Sequence, residues 1–233
     1  MKIPANGFTH AGKFHADDVF ATALLQILRP DIKITRGFVV PDGFDGIVYD
    51  VGYGMFDHHQ EPREYRANGV PYAAFGLLWR VLGPGLVGER QARLIDENFI
   101  QPLDLNDNTG EQNSLCDAIG FFNPVWDSKE DQDTCFFKAV AVAKQILENQ
   151  IASANAVNRA DERCSRLTKT PGTHRGAALL SAVEERPVQD GRVVRDLPQP
   201  ARRLERPVRH RPQDQAPQAA LPPELGRPAA GGH

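Results

Sequence analysis

Two short segments gather the residues of this chain best equipped for chemistry. One is Thr9-His10-Ala11-Gly12-Lys13-Phe14-His15-Ala16-Asp17-Asp18, the other Asp57-His58-His59-Gln60. They hold His10, His15, His58 and His59, the only histidines before residue 174. Imidazoles set beside clustered carboxylates point to a metal site rather than to solvated loops. Such mixed donors suit Mn²⁺, Fe²⁺ or Zn²⁺, and a carboxylate-rich set leans toward Mn²⁺. Asp50 joins them at the end of an apolar run, as does an acid of the segment 103–108, where Asp104 and Asp107 are equally flanked by loop-forming residues. With Asp107 the set becomes His10, His15, Asp17, Asp50, Asp57, His58, His59 and Asp107. That is more than one ion takes. It fits two ions sharing a bridging acid, which activate a water and clamp the entering and leaving oxygens of a phosphoryl transfer. Asp50 is the expected bridge and Asp57 the expected partner orienting the neighbouring histidines.

The elements that must position these groups can be read from the pattern around them. Residues 4–10 read as a short strand ending at His10. Asp17 and Asp18 then open a helix, because Val19, Phe20, Ala23, Leu24 and Ile27 recur at helical spacing until Arg29-Pro30. Acids in a first turn also suit the helix dipole. Residues 32–38 alternate like a strand, and Gly46-Ile47-Val48-Tyr49-Asp50 is a short apolar strand ending in an acid. Residues 73–82, 90–103 and 132 to about 164 are expected to be helical. This order predicts an α/β fold with a mainly parallel sheet flanked by helices. In open sheets of that kind ligands gather at the carboxyl ends of strands, where His10 and Asp50 stand and where Asp57 is expected.

These motifs resemble the DHH phosphoesterase superfamily. Within it, the run from Thr9 to Asp18, the phrase Tyr49-Asp50-Val51-Gly52 and Asp57-His58-His59-Gln60 resemble the Myg family of metal-dependent hydrolases. Glu97-Asn98-Phe99, Asp107-Asn108, Asn123-Pro124-Val125-Trp126 and Asp131-Gln132-Asp133 follow the same family pattern, over about residues 7 to 164. Eukaryotic members are described as 3′–5′ RNA exonucleases. The resemblance therefore implies a divalent-metal-dependent phosphodiesterase acting on RNA or short oligonucleotides. It implies His10, His15, Asp17, Asp50, His58 and Asp107 as ligands of two ions, Mn²⁺ first and Mg²⁺ or Zn²⁺ as alternatives. His59 would face the substrate phosphate, with Asp57 beside it. His15 stands where many DHH enzymes carry Asp. The alternatives are a small-phosphate hydrolase (a pyrophosphatase or cyclic-dinucleotide phosphodiesterase) and an inactive metal-binding fragment.

Composition divides the chain in two. All 18 aromatic residues precede residue 166, and the last 68 residues also lack Ile and Met while holding 10 of the 18 prolines. Residues 166–233 carry 12 basic and 7 acidic groups, a charge of +5, against -8 for residues 1–165. Such a stretch cannot bury enough apolar surface to offset chain entropy, which predicts a phosphoesterase domain over residues 1–165 and a disordered Arg/Pro-rich tail over 166–233. The superfamily's second domain has no recognisable counterpart there. Back-translation of residues 224–229 one nucleotide out of frame can read Ser-Trp-Ala-Gly-Leu, similar to a family motif, so the tail is expected to be an out-of-frame product. No run approaches the roughly 18 apolar residues of a membrane span. Three cysteines without a CxxC pair point to a reducing cytoplasm.

Overall fold

A three-stranded parallel sheet carries the first motif at its centre. The computed structural model describes residues 1–169. Strand β1, Asn6–His10, lies between β2, Lys33–Gly37, and β3, Ile47–Val48, in the order β2-β1-β3. Phe8 is in register with Thr35 on one side and Val48 on the other. The ladder continues past β3 as a parallel bridge between Tyr49 and Phe56. The α/β expectation is met, with a sheet smaller than the apolar runs suggested: β3 keeps two residues because the chain turns at Asp50, whose φ is 57°. The expected tail lies, from residue 170 onward, outside the described residues.

Helix α1, Ala16–Leu28, leaves the sheet directly after the first motif. The sequence reads as one-faced, yet every residue from Ala16 to Leu25 is buried, because other helices close around it. Helix α6, Gln132–Lys169, packs along it through Phe136, Ala139, Val140, Ala143 and Leu147, which recur at helical spacing and are all buried. At 38 residues, α6 is about 57 Å long. Its Asn155 and Asn158 donate to the carbonyls of Leu86 and Val87, satisfying the C-terminal end of α2, Ala74–Val87. Gly88 then turns the chain into α3, Glu89–Ile95, which continues through a π-helical turn, Asp96–Ile100, into α4, Gln101–Thr109. Helix α5, Ser114–Gly120, has no counterpart among the expected elements; Asn113 caps it by accepting from the backbone N–H groups of Leu115 and Cys116. Among the described residues, no helix is long and apolar enough to cross a membrane.

The π-helical turn and α4 are held by one buried cation. Arg66 donates to both carboxylate oxygens of Asp96, to Asp104 Oδ2 at 2.7 Å and to the Pro71 carbonyl, with its guanidinium 3.9 Å from the centre of the Tyr72 ring. Helix α2 admits this cluster because residue 76 is glycine: a Cβ there would fall 1.9 Å from Asp104 Oδ2. Burial pushes the Asp104 carboxyl up to about 7 although Arg66 pulls it down. Removing Arg66 strands a buried acid, which typically costs about 3–5 kcal/mol. We therefore expect Arg66→Ala to lower stability by about that amount at pH 8 in urea titrations, and by less at pH 5, where Asp104 is free to protonate. An equal loss at both pH values would contradict this assignment.

Candidate metal centre

His10 ends β1 and Asp50 lies two residues beyond β3, so the parallel sheet aims both groups toward one carboxyl-terminal edge. His10 Nε2 stands 3.2 Å from both Asp50 Oδ2 and Asp18 Oδ2. His58 Nε2 stands 3.1 Å from Asp50 Oδ1 and 3.2 Å from Asp107 Oδ2. Asp50 thus meets one imidazole on each of its two oxygens. A cleft of about 820 Å³ opens over these groups and is also lined by Lys13, His15, His59 and Arg63.

The histidine rings are oriented from behind. His10 Nδ1 lies 3.0 Å from the Ala11 carbonyl, which can only accept, so that nitrogen carries a proton. Asn108 spends its amide N–H groups on the carbonyls of Tyr72 and Asp104, leaving Oδ1 to accept from His58 Nδ1 at 3.3 Å. His59 Nδ1 donates to Asp57 Oδ1 at 2.7 Å, while Asp57 Oδ2 accepts the Tyr53 N–H. In all three rings Nδ1 is committed. Nε2 faces the carboxylates in His10 and His58, and the ring of His59 is more than half exposed to the cleft. An N–H bound to a fixed acceptor is how metal-ligating histidines are commonly locked into one tautomer.

The first turn of α1 supplies the remaining acids. Asp17 is buried, and its two oxygens accept the N–H groups of Ala74 and Phe75 at the start of α2. It still reaches the site: Asp17, His58 and Asp107 each offer a donor atom within 4.8 Å of the others. Two more such groups are Asp50, His58 and His59, and His10, Asp18 and Asp50. Asp18 Oδ1 accepts the His15 N–H in a capping box, while its buried Oδ2 has no hydrogen-bond partner although it faces His10. His15 stands at the margin, with Nδ1 3.7 Å from Asp107 Oδ1 and a side chain more than half exposed.

Of the residues expected from the sequence, His10, Asp17, Asp50, His58 and Asp107 converge, and His15 lies outside the three groups. Asp57 stands beside His59 as expected but orients that ring alone; His58 is oriented by Asn108. Sequence reading overlooked Asp18 as a site residue, although it ends the first motif, and it did not assign a role to Asn108 or Asn123. Asn123 clamps the motif from outside, accepting from the Phe14 N–H and donating to the Phe14 carbonyl. Asp104, equally placed in the sequence, pairs with Arg66 instead.

Burial and like charge set the electrostatics of the site. Burial raises the Asp17, Asp18 and Asp107 carboxyls above the ordinary range, and the neighbouring Asp50 charge adds to each shift. Burial alone would lower His10, but its contacts with Asp18 and Asp50 outweigh burial and hold it at about 11. Asp50 moves the other way: burial is overcome by His10 and His58, and its carboxyl falls to about 2. Protons on histidine therefore balance the buried carboxylates where no other cation is present. Buried acids of this number, an orphaned oxygen on Asp18 and two imidazoles with committed Nδ1 atoms fit metal-ion binding.

The sequence profile of the MYG1_exonuc family, described as an uncharacterised protein family (UPF0160), matches residues 8–190. The matched span runs past position 164, where the motif-level resemblance stops. A MYG1 protein of Schizosaccharomyces pombe is 26% identical over 183 aligned positions, covering 60% of this chain and 54% of the yeast protein. The human MYG1 exonuclease is 28% identical over 176 positions, 58% of this chain and 46% of its own length. The Bos taurus MYG1 exonuclease is 26% identical over 189 positions, 62% and 49%. The chain thus spans about half the length of the curated relatives it matches. No solved structure matches.

A pH dependence follows from these shifts. His10, held at about 11 against an ordinary 6.5, contributes stability that is full below pH 6.5 and is lost as pH rises toward 11. The raised carboxyls act in the same direction, because the folded state binds protons that the unfolded state has released. Asp50 opposes them only below pH 3.8. In EDTA, thermal unfolding should therefore occur at progressively lower temperature from pH 6 to pH 9, and Mn²⁺ should flatten that slope. A melting temperature that rises with pH in EDTA would contradict the charge balance described.

Proposed function

The chain belongs to the MYG1_exonuc family (UPF0160), and from that premise we propose that it is a divalent-metal-dependent phosphodiesterase acting as a 3′–5′ exonuclease on RNA or short oligonucleotides. The observation that carries this reading is the bracketing of Asp50 between His10 and His58, one imidazole on each carboxylate oxygen. The names of the human and bovine relatives, both exonucleases, support a nucleic-acid substrate.

His10, Asp18 and Asp50 would hold one ion and Asp17, Asp50, His58 and Asp107 the other, with Mn²⁺ favoured by the carboxylate count and Mg²⁺ or Zn²⁺ as alternatives. When bound, two such ions supply an acidified water and a clamp on the attacking and leaving oxygens. The chain's own residues do the rest. Asp57 holds His59 with Nδ1–H pointing inward, leaving Nε2 for a phosphate oxygen in the cleft. Hydrogen bonds from His59 and from the backbone N–H groups of His59 and Tyr53 outweigh burial and keep the Asp57 carboxyl below the usual range. It therefore stays ionised and keeps the His59 ring aimed into the cleft. The Ala11 carbonyl and Asn108 keep His10 and His58 from rotating away.

The test is hydrolysis by the full chain with Mn²⁺ of a 5′-labelled RNA oligomer, alongside pyrophosphate and a cyclic dinucleotide. Stepwise shortening from the 3′ end is expected. Asp50→Ala should abolish it together with Mn²⁺ binding measured by calorimetry. His59→Ala should keep Mn²⁺ binding and lose about 10²- to 10⁴-fold in turnover, the usual range for a positioned proton donor. Equal metal loss in both variants would overturn this division of roles. Cleavage of pyrophosphate or the cyclic dinucleotide alone would overturn the exonuclease reading.

A further inference from the structure

Beside this polar site the cleft carries an apolar margin that the chemistry above does not use. Phe38 and Val39, just after β2, and Tyr53, after Asp50, line the cleft and are respectively 78%, 80% and 74% exposed. Large apolar side chains left in water beside a charged site mark a binding surface more often than a packing error. Their backbone is not loose. Tyr53 holds a left-handed φ of 57°, uncommon for a bulky residue, and its N–H is gripped by Asp57 Oδ2 at 2.6 Å. The 38–40 segment rests on two motif glycines with left-handed φ. A Cβ at Gly12 would meet the Phe38 ring at 3.4 Å, and one at Gly52 would meet Val40 at 2.9 Å. The aromatic rings are thus set by the same two loops that carry His10 and Asp50.

We propose that Phe38 and Tyr53 form a base-stacking platform, holding the bases of a single-stranded nucleic acid while its phosphodiester lies at the carboxylate–histidine site. This inference rests on the phosphodiesterase reading of that site. Aromatic faces suit every base and so give affinity without sequence preference. A pyrophosphate or other ring-free phosphate gains nothing from them. The cleft's charge agrees: Lys13 lines it and, among the described residues, has no acidic side chain within ion-pairing distance, so it is free for a phosphate.

The experiment compares binding of two fluorescein-labelled 8-mers to the full chain in EDTA, by anisotropy: oligoadenylate RNA and an abasic chain with the same phosphates. Because both carry equal charge, the ratio of their dissociation constants isolates the bases. The platform predicts a ratio of at least about 10 in favour of the adenylate. It predicts a loss of about 5- to 150-fold for adenylate in Phe38→Ala and in Tyr53→Ala, with less than about twofold change for the abasic chain. Phe38→Trp and Tyr53→Phe should retain the ratio. Both side chains are exposed, so unchanged melting temperatures will confirm folding. A ratio near one in the unaltered chain, or one that survives both alanine variants, overturns the platform even where Mn²⁺-dependent hydrolysis is seen. A base-dependent ratio without any hydrolysis supports the platform and sinks the phosphodiesterase reading instead.

Discussion

Asp17, Asp18, Asp50 and Asp107 are brought together with little exposure to solvent, and carboxylates so placed cannot all stay ionised without cations among them. Everything near the sheet's carboxyl edge answers to that constraint. Where only protons are available, His10 and His58 are driven to hold them, and three of the acids are driven to take them up. Asp50 alone gains enough positive neighbours to become a stronger acid. A charge pattern in which one acid deepens while its neighbours weaken identifies the point where positive charge is concentrated, and that point lies between His10 and His58.

The fold meets the constraint with rigid parts. Parallel pairing places the end of β1 and the turn after β3 side by side, and the buried first turn of α1 delivers Asp17 and Asp18 beneath them. Asp17 serves two purposes: it satisfies backbone donors at the head of α2, and it contributes negative charge to the site. Asn123, Asn108, Asp57 and the Ala11 carbonyl then fix loops and rings that the regular elements leave free. Away from the site, Arg66 pairs with a further buried acid, Asp104.

Much of this was legible in the sequence because it depends on local pattern. The apolar period after Asp18 specifies α1, the short run before Asp50 specifies a strand end, and vicinal histidines after Asp57 specify a site. What stayed hidden depends on partners distant in sequence. Asp104 and Asp107 lie one helical turn apart on α4. Which of them joins the site is decided by Arg66, 38 residues before Asp104, and that pairing leaves no local signal. Asp18 was overlooked because successive helical residues point about 100° apart, so only one of an Asp pair is expected to face a given site. With α1 enclosed on nearly all sides, both do. Helix α5 is seven residues long, too short to show a period.

The central proposal is that the space around Asp50 is built for two divalent ions. Anomalous diffraction from crystals of the full chain grown with Mn²⁺ tests it most directly. Two peaks are predicted about 3.5–4 Å apart, one on the His10 side of Asp50 and one on the side of His58 and Asp107. A cleft without a peak, or one peak confined to Asp50, His58 and His59, would contradict the claim.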